Sequence, residues 1–279
     1  MSDEIRAILR DQAGKASIQR LWKHTVSIVN GVRISGTDPI TKRRADGEQF
    51  GSGCAALWGK QHLILTAEHV LQGAEVSDLR VFSYPGAFQY RPAADLRKED
   101  VVDAVPLRAD NAVIHRCGWD DLALIVVEPD DIGENVEFFD LGNDWIDPAE
   151  GEPVHCFGFP SDSHVPWESF MVGNKEERTV AVYPGTFDGI VTYSPKFLSR
   201  KFDPERHYLV PFTQVNEGKH PEGYSGGGAW WESDQPDLIW RPNYKFAGIC
   251  TSCYQDGAFE QVVKASAVRR FVEEVLGQL

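Results

Sequence analysis

Apolar residues in this chain fall mostly into short alternating runs rather than helical stripes. HTVSIV, from His24 to Val29, alternates and is β-branched, and the polar stretch 34–48 after it predicts a long loop. GSGCAALWG and HLILTAEHV predict two strands joined by a Gly-Lys turn. Segments 79–91 and 111–117 predict further strands, and the unbroken apolar run Leu122–Val127 predicts a buried one. About six short strands thus precede residue 130, enough for a small closed barrel or sandwich. Residues 129–150 are rich in Asp, Glu, Gly and Pro and read as a connection.

Strand signals then resume in PVHCFGFP, RTVAVY, GIVTYS, HYLVPFTQV, GGAWWE and YKFAGICTS. Val268, Phe271, Val272 and Val275 recur at helical spacing and predict a closing helix with Arg269 and Arg270 exposed. At the other end, Ile5, Ile8, Leu9, Ile18, Leu21 and Trp22 predict one or two short helices interrupted at Gly14, packed on the body as an extension.

Composition narrows the function. With 279 residues, 42% hydrophobic and 25% charged, the chain has the make-up of an ordinary globular protein. A net charge of -14 argues against general nucleic-acid binding, which needs a basic face. The apolar runs are too short to span a membrane, and no signal core is visible near the N-terminus. Five cysteines, an odd number, point to reduced thiols and a cytoplasmic setting.

Three motifs carry chemistry. Ser225 stands among glycines in GYSGGG, His69 follows an apolar strand in TAEHV, and Asp121 opens the apolar strand in WDDLALI. Asp120 is the rival carboxylate, but Asp121 adjoins the strand directly. A serine hydroxyl needs a base, a group that orients the base, and donors for the charge that develops on the attacked oxygen. GYSGG also satisfies the nucleophile-elbow pattern G-x-S-x-G, whose fold places its histidine after the serine. None of the eight histidines follows Ser225, so that fold fails.

The order TAEH, DDLAL, GYSGG resembles the trypsin/chymotrypsin-like serine proteases, including their bacterial, HtrA-like branch. The resemblance covers residues 25–276 in arrangement and rests on the motif positions just quoted. It implies an all-β fold of two six-stranded antiparallel β-barrels with the active site between them. The expected organisation is an N-terminal extension (1–24), a first barrel (25–135), a connection (136–150), a second barrel (151–262) and a C-terminal helix (263–279). The implied nucleophile is Ser225, the base His69 and its orienting acid Asp121, with the backbone N–H groups of Gly223 and Ser225 as oxyanion hole. The implied activity is cleavage of protein or peptide substrates through an acyl-enzyme, with no metal or cofactor. Regulated proteases of bacterial stress and defence systems are the nearest setting.

Resemblance also implies substrate-binding positions. Thr251 stands where relatives place a serine that hydrogen-bonds the catalytic aspartate, and Ser252 and Cys253 would border the first specificity pocket. Lys219, with His220 beside it, stands where relatives set charge preference, which would favour acidic or polar residues before the cut. Tyr224 replaces the aspartate that pairs with a new N-terminus in secreted relatives. Activity without N-terminal cleavage is therefore expected, with a partner that orders residues 214–224 as an alternative means of regulation. Cys250 and Cys253 form C-x-x-C without a second pair, so the pair reads as small core residues rather than zinc ligands. Cys54 reads as core, and Trp230 and Trp231 as packing around the second barrel. Two other functions share these motifs: a silent peptide-binding module, and an acyl hydrolase acting on esters.

Overall fold

The computed structural model describes residues 18–37, 44–83, 105–106, 112–132, 136–160, 164–172, 175–182, 185–193, 202–213, 221–232, 244–254 and 258–277. The chain is mostly β, in two antiparallel sheets. The first is built from β1 (Thr25–Thr37), β2 (Arg44–Trp58), β3 (Gln61–Ala67), β4 (Leu79–Ser83), β5 (Val105–Pro106), β6 (Val113–Cys117) and β7 (Leu122–Val127), in the order β5-β4-β1-β2-β3-β7-β6. A short β8 (Phe139–Asp140) adds to β2 in parallel at Ala56 and Leu57. The expected loop over 34–48 is shorter than its composition suggests, because β1 and β2 pair out to Thr37 and Arg44.

The second sheet begins with β9 (Pro153–Gly158). A separate ribbon of β10 (His164–Val172) and β11 (Lys175–Val182) follows. The sheet then continues with β12 (Gly185–Ile190), β13 (His207–Pro211), β14 (Gly228–Glu232), β15 (Tyr244–Tyr254) and β16 (Phe259–Lys264). Its order is β12-β9-β14-β15-β16-β13. Beyond β12, Thr192 exchanges both backbone hydrogen bonds with Leu209 of β13, each 2.9 Å. The edges of this six-stranded sheet therefore meet. The equal count expected for both halves fails in the first sheet, which has seven strands along its path and β8 beside them. Of these eight, β8 comes from the stretch 129–150, which reads as a connection in the sequence.

Burial explains the unbroken run in β7. Leu122 and Leu124 join Leu63 and Leu65 of β3 in a cluster shared with Phe157, Trp230, Phe246 and Ile249 of the second sheet. Ala123, Ile125 and Val127 point the other way, into the first sheet's own core with Val26, Ile28 and Ile64. With both faces covered, no position in the strand favours a polar residue. A third cluster, around Phe187, Tyr208, Val210, Phe212 and Tyr224, fills the second sheet.

The core between the sheets also corrects two sequence readings. Trp230 lies between the sheets, 5.1 Å from Phe139 and 5.7 Å from Phe246 between ring centroids, and only Trp231 packs against the second core. The C-terminal helix α1 (Ala265–Leu276) buries Val268, Phe271 and Val272 as its spacing predicts. Arg269 is not a solvated residue, however. Its guanidinium lies over the Trp145 ring at 4.4 Å, and its side chain is 21% exposed. Leu21 and Trp22, in the helical turn 18–22, also enter this core, and the earlier part of the expected extension lies outside the described residues. Among the described residues no helix is long and apolar enough to cross a membrane.

Candidate active site

β3 delivers His69. The strand ends at Ala67, and a 3-10 turn, Glu68–Leu71, buries Val70 and Leu71 in the first core. His69 is carried between these anchors with its side chain 41% exposed. Asp121 reaches it from the tight turn between β6 and β7. The Asp121 carbonyl accepts from the Glu68 N–H at 2.9 Å, and Oδ1 accepts from the His69 N–H at 2.9 Å. Oδ2 lies 2.7 Å from His69 Nδ1. A carboxylate there favours the tautomer with the proton on Nδ1 and Nε2 unprotonated, the form a base requires.

Asp121 has φ of 54°, and among the described residues it is the one non-glycine with positive φ. That left-handed conformation costs about 1–2 kcal/mol for an ordinary side chain and is most tolerated by Asn and Asp. It sends adjacent carboxylates apart. Asp121 faces His69, while Asp120 is buried against Arg206 of the second half. Of the two carboxylates, Asp121 is the one that meets His69.

The nucleophile's loop is fixed by its own hydrogen bonds. Tyr224 N–H donates to Pro221 O (3.1 Å), Gly226 N–H to Cys250 O (2.7 Å) and Gly227 N–H to Tyr224 O (2.8 Å). Within residues 223–227 this leaves the N–H groups of Gly223 and Ser225, which have no acceptor among the described residues. They are the pair expected as oxyanion donors. The Ser225 hydroxyl donates to Thr251 O at 3.3 Å. Tyr224, 3% exposed, packs its ring edge-on against Phe187 at 4.9 Å. The residue before the nucleophile is thus anchored by apolar packing rather than by an ion pair, which a tyrosine cannot make with an N-terminus.

Both parts meet at Ser52 of β2, which the sequence reading did not single out. Its N–H donates to Ser225 O (2.8 Å) and its hydroxyl to Gly223 O (2.6 Å). The same hydroxyl accepts from Phe159 N–H (2.8 Å), and its carbonyl accepts from the Thr66 hydroxyl (2.7 Å). Neighbouring Gly51 lies against Val70, next to His69: a Cβ there would come within 2.6 Å of the valine methyls. Residues 51 and 52 therefore touch both the turn carrying the base and the loop carrying the nucleophile. The available signal was Gly-Ser-Gly inside a strand, which marks close approach of another backbone.

Other expectations fare unevenly. Lys219 and His220 lie outside the described residues. Thr251 does not reach Asp121: its buried hydroxyl donates to Gln261 O at 3.4 Å. The cause is a register shift between Cys250 and Ser252 in the β15–β16 pairing, which aims Thr251 at β16 and leaves its carbonyl for Ser225. Ser252 is half-buried and Cys253 exposed, so Cys253 is not the core residue expected. Cys54 and Cys250 are fully buried, and burial holds the Cys54 thiol well above its usual pKa. Among the described residues no group of His, Cys, Asp and Glu is arranged to hold a metal.

Glu260 was not foreseen at all. It lies opposite Cys253, 1% exposed, with Oε1 lacking any partner. Burial pushes its carboxyl well above the usual carboxylate range. Below the pKa of an unfolded glutamate both states are protonated. As pH rises beyond it the unfolded chain gains by ionising, so this residue progressively weakens the fold. Glu260→Met is expected to be about 1–3 kcal/mol more stable than wild type at pH 8 and to gain less at pH 4. Equal gains in melting temperature at both pH values would contradict a neutral buried carboxyl.

No protein-family model matches this chain, and the search of curated proteins finds no match either.

Proposed function

We propose that this protein is a serine endopeptidase of the trypsin-like class. The observation that carries the reading is the hydrogen-bond pattern of residues 223–227, which spends the N–H groups of Tyr224, Gly226 and Gly227 and leaves those of Gly223 and Ser225. The second support is a histidine whose Nδ1 faces a carboxylate at 2.7 Å. In the proposed cycle Ser225 Oγ attacks the carbonyl carbon of the scissile bond, and its proton passes to His69 Nε2. The oxyanion is held by the N–H groups of Gly223 and Ser225; one such donor is worth about 3 kcal/mol of barrier. Collapse breaks the C–N bond, and the leaving amine takes the proton from His69. Water, deprotonated by His69, then hydrolyses the acyl-enzyme and regenerates the serine.

The bond from Ser225 Oγ to Thr251 O favours a resting state with modest turnover. The hydroxyl must exchange that acceptor for His69 when substrate enters. No metal or cofactor has a step in this cycle.

The test is identification of new N-termini in a proteome incubated with wild type or Ser225→Ala, alongside matched ester and amide substrates. New termini with the wild type alone are expected. Ester hydrolysis without peptide cleavage would make the protein an acyl hydrolase. Inactivity on both would leave a peptide-binding module.

A further inference from the structure

Asp120 is a buried carboxylate with a side chain 2% exposed, one residue from the acid that orients the base. A buried charge is tolerated only when paired. Its partner comes from the other sheet: Arg206 Nη2 donates to Asp120 Oδ2, while His207 Nε2 stands 3.7 Å from Oδ1. The Cys117 thiol approaches Oδ2 at 4.0 Å.

Arg206 is itself rigidly set. Its N–H donates to Asp203 O (3.0 Å), and its carbonyl accepts from the Lys264 N–H (2.8 Å) of β16. Asp203 N–H donates to His207 Nδ1 at 3.1 Å, and Glu205 N–H caps the same turn on Asp203 Oδ1 at 2.9 Å. Immediately afterwards the chain enters β13. The second half therefore holds the Arg206 backbone in place, and its guanidinium reaches Asp120 in the β6–β7 turn of the first.

The geometry points to Arg206 as a positioning residue for the catalytic acid, acting through Asp120. This inference rests on the hydrolase reading above. Asp121 holds its left-handed φ of 54° against a local preference for the right-handed and extended regions. Its three bonds to residues 68 and 69 pull on one side of the peptide joining it to Asp120. The ion pair to Arg206 holds the other side. When the latch is removed, the turn relaxes, the Asp121 carboxylate leaves His69 Nδ1, and the imidazole loses its single tautomer. Displacement of about 1 Å in such a group costs up to about a hundredfold in rate. The latch acts on the orientation of His69 and is assigned no part in binding substrate, so kcat should fall while KM holds.

Three variants test this. Arg206→Met breaks the pair but leaves Asp120 charged and buried. Asp120→Asn/Arg206→Met removes both charges and keeps a foldable protein. Arg206→Lys retains the charge without the planar fork. The double variant, folded by melting temperature, is expected to lose about 10- to 100-fold in kcat with KM within about twofold, and Arg206→Lys to recover part of the loss. Ring-nitrogen chemical shifts of His69 should report the Nδ1–H form in the wild type and a tautomer mixture in the double variant. A folded double variant with wild-type kcat and unchanged His69 shifts would overturn the latch. Failure of the hydrolase reading looks different: the wild type itself would not react at Ser225, yet the His69 shifts would still reveal whether Arg206 positions Asp121.

Discussion

Asp121→Asn is expected to lower kcat about ten-thousandfold in a protein that remains folded. The carboxamide matches the carboxylate in size, and asparagine tolerates the left-handed backbone at this position as readily as aspartate does. Its oxygen can still accept the His69 backbone N–H, the bond made now by Oδ1 at 2.9 Å. Its NH2 must then face His69 Nδ1, where the carboxylate oxygen stands at 2.7 Å. A donor facing Nδ1 makes that nitrogen an acceptor and moves the ring proton to Nε2. The nitrogen that should take the serine proton is then blocked, and the imidazolium loses its counter-charge. Steady-state kinetics on a cleavable peptide, with melting temperature as the folding check, measures this. A loss under about tenfold would mean that His69 is not the base or that Asp121 does not orient it.

Gly226→Ala is expected to cost about 4 kcal/mol of stability and to abolish activity in whatever fraction folds. Gly226 has φ of 88°, where a side chain is strained before any neighbour is considered. A Cβ there would lie 1.9 Å from the Ser52 carbonyl oxygen and 2.2 Å from the Thr66 hydroxyl. The two oxygens are hydrogen-bonded to each other at Ser52, the residue whose N–H and hydroxyl hold the Ser225 loop, so yielding there disturbs that loop. Gly118→Ala is the matched control. It lies in the turn before Asp121, its nearest new contact would be Glu68 Oε2 at 3.6 Å, and it should melt within about 1 kcal/mol of wild type. Thermal denaturation of the pair separates backbone crowding from a general dislike of substitution near the site.

What could be read beforehand, and what could not, follows from the range of the interactions. His69, Asp121 and Ser225 stood out because the chemistry demands those side chains in short motifs, and the unbroken run in β7 because two covered faces suppress polar residues. Ser52 did not stand out. Its role is a hydrogen bond to a carbonyl 171 residues away, and such contacts leave no local periodicity. Thr251 was placed in the correct strand but assigned the wrong partner, since a single-residue bulge in β15 reverses which face it joins. Arg269 and β8 share one cause. Trp145 and Phe139 come from an acidic, Pro-containing segment whose composition hides that it packs between sheets. For Glu260 the pattern was misleading, because a carboxylate in a strand reads as a solvated edge and here is enclosed.

The central claim is that Ser225 is an activated nucleophile in the intact chain. Mass analysis after treatment with a fluorophosphonate tests it most directly. The account predicts a single adduct, mapped to Ser225, forming without N-terminal trimming because Tyr224 is anchored in the second core. The adduct should be absent in Ser225→Ala and form far more slowly in His69→Ala. An intact, folded protein that takes no adduct, or that labels at Ser225 equally fast without His69, would contradict it.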